Sequence, residues 1–284
     1  IPPFRLDLTA WVLSRRPDNR VDRWDGQTYR RILVLDDEPI EVSVTQIGTP
    51  ERPLLNILLN GVGVNEGIEA RVTTALERLL GIRRDLNDFY QFSESNMDLK
   101  TLVARFRGAK PPRFLTSFEA MVNAISCQQL SLTVGIQLLN RLSLSYGLAY
   151  RVGGETFHAF PRPEDLINVE ADELRKLGFS HRKGEYLLSL ARSIVDKEIN
   201  LDEIEALEDQ QAVAQLCEIR GVGRWTAEYV LLRGLGRTHI FPGDDIGARN
   251  NLQRWLNLPD RLDYNSAQQA LSDWEDYRGL IYFH

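Results

Sequence analysis

Two short stretches hold the residues best suited to do chemistry. The first, residues 219–232, reads IRGVGRWTAEYVLL and sets Gly221-Val222-Gly223 directly before an amphipathic segment carrying Trp225 and Tyr229. Glycine costs roughly 1 kcal/mol in a helix interior, so such a pair marks a turn, a helix start or a close backbone approach. The second is Phe241-Pro242-Gly243-Asp244-Asp245, two adjacent carboxylates after a Pro-Gly turn and before the helical pattern IGARNNLQRWL. One of them is the natural N-cap of that helix, and a cap does not require both. Trp225 and Tyr229 are four apart and so share one helix face. A carboxylate held beside that face would meet a positively charged reaction centre in a site lined with aromatic rings.

The glycines do not cradle a nucleotide. Thr226 occupies the place of the third glycine of a dinucleotide fingerprint, no β-run precedes it, and no Gly-Lys-Ser/Thr follows to make a phosphate loop. What remains is a helix, a turn over 219–223 and a second helix beginning near Arg224, with main-chain N–H groups turned outward at an anion such as a phosphodiester. On the turn alone, a tight connection between two core helices stays open as the alternative. Local charge favours the anion: between 219 and 254 six arginines stand against three carboxylates, in a chain of net charge −6. The acids instead gather in LDEIEALED (201–209), read as a solvated face.

These stretches need elements to hold them. The 284 residues suffice for two or three packed units. With 34 basic against 40 acidic side chains there is no global basic field. Two cysteines, Cys127 and Cys217, are too few for a disulfide framework, a four-thiolate zinc site or an iron–sulfur cluster, and the four histidines show no metal-ligand spacing. No apolar run reaches the roughly 18 residues that span a bilayer, and no signal peptide is evident, so a soluble cytoplasmic protein without a membrane partner is expected. The first third reads as a small α+β unit. Runs at 29–35 and 40–46 flank a turn at Asp36-Asp37-Glu38-Pro39 and predict an antiparallel hairpin, 53–60 a third strand, and 66–80 a helix stopping at Gly81. Beyond Pro111-Pro112 the pattern is helical: a capping box at Thr116-Ser117-Phe118-Glu119, helices over 132–145, 172–177, 183–195 and 211–218, and a loop over 150–166 with Pro163 near a helix start.

IRGVGRWTAEY, followed about twenty residues on by FPGDDIGARNNL, resembles the signature of the helix–hairpin–helix DNA glycosylases, and within them the alkylbase, 3-methyladenine DNA glycosylase II type. FEAMVNAISCQQLS, LRKLGFSHRKGEYLLSLA and WEDYRGL extend the similarity over most of the chain. The implied fold is α+β overall: an N-terminal antiparallel-sheet domain (1–95), then a mostly helical bundle. One helical subdomain (96–118 with 238–284) carries the catalytic Asp, and the other (119–237) the helix–hairpin–helix at about 212–232. The resemblance makes Asp245 catalytic and puts Trp225 where lyase members carry a Schiff-base lysine, which implies a monofunctional enzyme. It gives the base pocket Trp225, Tyr229, Ile246 and Gln128, with Ile246 replacing an aromatic residue, and makes Gln129 the DNA wedge in place of an apolar one. A further pocket aromatic is expected beyond His284. Gly221, Gly223, Arg224 and Thr226 would bind phosphate, and the carbonyls of Cys217, Ile219 and Val222 a sodium or potassium ion, with no cofactor required for catalysis. The N-terminal unit is expected to pack away from the cleft.

The implied function is removal of alkylated purines from double-stranded DNA by a monomer in base excision repair. The alternatives are an oxidised-base glycosylase of 8-oxoguanine type, and a non-catalytic helix–hairpin–helix module in which Asp245 is only a cap.

Overall fold

A computed structural model describes all residues, Ile1–His284. The chain opens with α1 (Leu6–Ser14), then β1 (Arg23–Trp24), β2 (Thr28–Leu35), β3 (Glu38–Gln46), β4 (Leu55–Asn60) and α2 (Glu66–Leu80). The strands form one antiparallel sheet in sequence order. Asp36 and Asp37 both have positive φ, 53° and 62°, and close the β2–β3 hairpin as a two-residue turn of the kind whose twist matches the strands. Alternation sends Tyr29, Leu33, Ile40, Val42 and Val44 to one face, where they pack with Leu13, Leu76 and Leu79 of the two helices. The sequence reading missed α1 because Leu8, Trp11 and Val12 lie outside the buried set, which blurs the helical period.

The helices that follow are α3 (Asn87–Ser93), α4 (Met97–Phe106), α5 (Ser117–Cys127) and α6 (Leu132–Tyr146), then the hairpin β5 (Ala149–Val152) and β6 (Glu155–His158). After a 3-10 turn at Pro163–Asp165 come α7 (Ala171–Lys176), α8 (His181–Val195), α9 (Leu201–Glu205), α10 (Asp209–Glu218), α11 (Arg224–Arg233), α12 (Ile246–Trp255), α13 (Tyr264–Ala270) and α14 (Arg278–Phe283). The expected loop over 150–166 is thus partly strand, with Gly153 and Gly154 at positive φ supplying its turn. The acidic stretch 201–209 is not merely solvated: Leu201 and Ile204 are buried, Glu205 pairs with Arg113 and Asp209 with Arg237.

Three apolar clusters result. One joins the sheet to α1 and α2, a second holds α5, α6, α8, α10 and α11, and a third holds α3, α4, α12, α13 and α14. Leu86, Phe89 and Tyr90 belong to the third cluster, not to the sheet unit in which the sequence reading put them.

A buried ion pair ties the first cluster to the second. Arg31 lies on the inward face of β2, where its guanidinium bonds Asp22 at 2.7 Å and Glu119 of α5 at 2.6 Å, all nearly inaccessible. Thr116 caps α5 by accepting from Glu119 N–H, but the Glu119 carboxylate goes to Arg31, so the expected capping box is only half made. Removing one partner from a buried pair leaves uncompensated charge. Arg31→Met should therefore lower the unfolding free energy by about 3–5 kcal/mol in urea titration, and a loss below about 1 kcal/mol would show that the pair does not bind the two units together.

Candidate active site

The turn Phe241–Asp245 crosses from the second cluster to the third. Asp245 N–H closes it onto Pro242 O at 2.9 Å, and Gln268 donates to Phe241 O at 3.0 Å. Asp245 then caps α12, its Oδ1 accepting from Ala248 N–H at 2.9 Å. Oδ2 is held separately, by the Tyr282 hydroxyl at 3.0 Å and, more loosely, by Trp225 Nε1 at 3.4 Å. Burial, together with the neighbouring Asp245 carboxylate, pushes the Tyr282 phenol far above its ordinary range, so it remains an O–H donor. The result is a half-buried carboxylate fixed through both oxygens.

Trp225 and Tyr229 stand on one face of α11 with ring centroids 5.5 Å apart and planes 30° from parallel. Trp225 is half-buried beside Asp245, whereas Tyr229 is 7% exposed and lies deeper, against Phe114. Asp244 turns the other way and binds Arg224 at 2.8 Å, whose guanidinium lies 3.6 Å above the Tyr264 ring. The two carboxylates have separated roles, one aimed inward and one anchoring the start of α11.

Next to this carboxylate, α10, the turn and α11 make a helix–hairpin–helix. Gly221 has φ +89°, and a Cβ there would sit 2.2 Å from the Tyr186 ring. Gly223 precedes α11 with nothing within 4 Å of a Cβ, and the N–H groups of Gly223, Arg224, Trp225 and Thr226 make no internal bond to a main-chain carbonyl. This is an open set of donors at a helix start, suited to an anion.

Residues 122–276 match the HhH-GPD superfamily of base excision DNA repair proteins. The chain is 31% identical over 244 residues to DNA-3-methyladenine glycosylase 2 of Escherichia coli, covering 86% of this chain and 82% of that protein. It is 27% identical over 277 residues to a putative DNA-3-methyladenine glycosylase of Bacillus subtilis, covering 97% and 92%. A solved 3-methyladenine DNA-glycosylase from Archaeoglobus fulgidus superposes with a TM-score of 0.84 at 27% identity, over 99% of this chain and 94% of that one. The chain belongs to the HhH-GPD superfamily.

Within this HhH-GPD fold the structure redistributes several expected roles. Thr226 is 1% exposed and its hydroxyl accepts from Gln128, so only its N–H faces the anion site. Arg224, Arg220 and Arg182 are all exposed beside the hairpin, Arg224 held by Asp244 and Tyr264, Arg220 by Glu185 at 3.4 Å and Arg182 by the Tyr186 hydroxyl. Gln128 Nε2 donates to Gly221 O and Thr226 Oγ1, both at 2.9 Å, so the amide nitrogen braces the hairpin. Gln129 sits at the exposed tip of the α5–α6 turn with φ +54°, next to Leu130, which is 41% exposed. Ile246 is 67% exposed at the start of α12. The carbonyls of Cys217 and Val222 accept no hydrogen bond, and that of Ile219 accepts only from Val222 N–H at 3.0 Å.

Three residues escaped the sequence reading. Tyr282 touches Asp245 from 37 positions away. Lys183, on α8, donates to Ser126 O at 3.0 Å and Gln128 O at 2.7 Å and pins the end of α5. Arg15, at the end of α1, reaches the Tyr229 hydroxyl at 3.4 Å, a contact from the N-terminal unit to α11. The free C-terminal carbonyls of α5 demand donors and were a general signal for a residue like Lys183. No local pattern announces the other two.

The hairpin glycines give a paired test. Gly221→Ala must adopt a left-handed conformation and displace an aromatic ring, so it should lose about 1–3 kcal/mol by thermal melting, while Gly223→Ala stays within about 1 kcal/mol of the parent. Equal melting temperatures for the two variants would contradict the close approach at Gly221.

Proposed function

We propose that the protein is a monofunctional DNA glycosylase of base excision repair, which hydrolyses the N-glycosidic bond of alkylated purines flipped out of double-stranded DNA. The observation that carries this reading is the Asp245 carboxylate, doubly held yet half-open beside Trp225. An N3- or N7-alkylated purine is already a good leaving group, so the difficulty lies on the sugar. As the bond to C1′ breaks, positive charge grows on the deoxyribose, and a preorganised carboxylate stabilises it and orients the attacking water. Trp225 stands where a lyase would need an amine, which supports simple hydrolysis without an imine.

The target atom is out of reach inside a duplex, so the nucleotide must be extruded at a cost of a few kcal/mol. The exposed tip at Gln129 and Leu130, braced by Lys183 and Gln128, is the element that would fill the gap. The open N–H groups from Gly223 to Thr226 would take a phosphate without reading sequence. The carbonyl oxygens of Cys217, Ile219 and Val222 suit a hard monovalent cation, because two accept nothing and the third keeps a free lone pair. Such an ion would present positive charge to the same phosphate. The relatives named as 3-methyladenine glycosylases support the alkylbase assignment.

The decisive comparison is wild type against Asp245→Asn. Asparagine caps a helix about as well as aspartate, so stability should change by less than about 1 kcal/mol. Release of free base from methylated duplex DNA should fall about 100- to 1,000-fold, while binding to an abasic-analogue duplex persists. Undiminished release by the variant would remove Asp245 from the mechanism. Binding with no release by the wild type would point to the non-catalytic module.

A further inference from the structure

Arg224 and Glu228 stand four apart on α11 and so share a face, yet Arg224 pairs with Asp244 instead. Tyr264, the first residue of α13, is set between them. Its ring centroid lies 3.6 Å from the Arg224 guanidinium and its hydroxyl donates to Glu228 Oε1 at 2.7 Å, so one tyrosine is gripped at both ends by a single helix. Glu228 is 7% exposed, and its Oε2 is enclosed without a hydrogen-bond partner. Burial raises its carboxyl above the ordinary range, with the Tyr264 hydroxyl, the Arg224 charge and the Gly243 N–H acting the other way. A buried acid held by one hydrogen bond is costly, and a hydrophobic side chain of similar size would fill the same space without that cost.

The Tyr264 ring also meets the turn that carries Asp245. A Cβ on Gly243 would sit 2.7 Å from Tyr264 Cδ2 and 2.9 Å from Gln268 Nε2, and Gln268 in turn donates to Phe241 O at 3.0 Å. Gly243 has no positive φ, so glycine is required there by the close contact and not by the backbone conformation. The turn therefore rests on a ring whose orientation is fixed from α11, the helix whose first N–H groups are open to an anion.

We propose that Glu228 is a positioning residue for Asp245: by holding the Tyr264 hydroxyl it fixes the ring against which the turn 241–245 rests, and so sets the reach from the open N–H groups of the hairpin to the carboxylate. The proposal rests on the glycosylase reading above. The two ends of that reach act on one strand, the N–H groups on a phosphate and the carboxylate on a deoxyribose. A displacement of about 1 Å at a reacting centre costs about a hundredfold in rate, whereas a phosphate contact to the hairpin does not depend on where the carboxylate sits. Loss of the Glu228–Tyr264 contact is therefore read in bond cleavage and not in binding.

The test is the single-turnover rate of base release from methylated duplex DNA, measured beside affinity for an abasic-analogue duplex. Tyr264→Phe keeps the ring and removes the hydroxyl, and should slow release about tenfold while affinity stays within about twofold. Glu228→Leu should do the same, and the two together should be no slower than either alone, because they cut one contact. Glu228→Gln retains an oxygen that accepts from Tyr264 and should lie between the wild type and Glu228→Leu. In the Asp245→Asn background, Tyr264→Phe should change the residual rate by less than about twofold. A wild-type rate in folded Tyr264→Phe overturns the proposal. So does a further loss of about tenfold in the Asp245→Asn background, which would make the contact a general support of the fold. Should the unpaired Glu228 charge unfold Tyr264→Phe, Glu228→Leu carries the same comparisons with no charge buried. Release of no base by the wild type withdraws the glycosylase reading and the role of Glu228 with it, an outcome distinct from release that Tyr264→Phe leaves unchanged.

Discussion

A carboxylate that is to answer a developing positive charge must keep a fixed direction and leave one side open. At Asp245 these demands are met by dividing its oxygens. Oδ1 is committed to the first turn of α12, which fixes the backbone, and Oδ2 is steadied by the Tyr282 hydroxyl and the Trp225 indole, which fix the direction. The donors are neutral, so none replaces the charge that the carboxylate must offer to substrate. Each donor comes from a different element, α12, α14 and α11, and the geometry holds only if those three stay packed together.

The three apolar clusters are arranged accordingly. α11 belongs to the second cluster, and its start is tied by Arg224 to Asp244 in the turn that leads into the third. Tyr264 joins this link from α13, stacking under Arg224 and donating to the buried Glu228 of α11 at 2.7 Å. The sheet unit is fastened to α5 through Arg31, and α5 ends in the Gln128–Gln129 turn that touches the hairpin. A strand residue thereby helps set where the Gln128–Gln129 turn meets the hairpin. Arg15 adds a second contact from the N-terminal unit, to the Tyr229 hydroxyl on α11.

What the sequence disclosed follows the range of the interactions involved. The hairpin at Asp36-Asp37, α2 with its stop at Gly81, the turn at Gly221–Gly223 and the cap at Asp245 are set by neighbours within a few residues, and all were legible. So was the stacking of Trp225 on Tyr229, a helical i, i+4 relation. The partners of Arg15, Arg31 and Tyr282 lie on other elements, and a charged or aromatic residue inside a strand or at a helix end gives no sign of which one it will meet. Thr226 and Gln128 show the opposite error. The motif singled them out as a phosphate contact and a pocket residue, but it does not say that their polar atoms are spent on each other.

The distribution of charge around Tyr229 gives the cleft a direction. Asp245 lies beside Trp225, whereas Arg15 and Arg233 both lie against the Phe114 ring, with Arg15 also at the Tyr229 hydroxyl. Heterolysis of a glycosidic bond draws electrons into the base and leaves positive charge on the sugar. A nucleotide held with its sugar near the carboxylate and its base toward the guanidiniums undergoes that separation along the field already present, and such prearranged charge acts without reorganisation cost at the moment of reaction. The same field raises the energy of a bound cationic base, so the gain per substrate depends on how much charge the base already holds before its bond breaks.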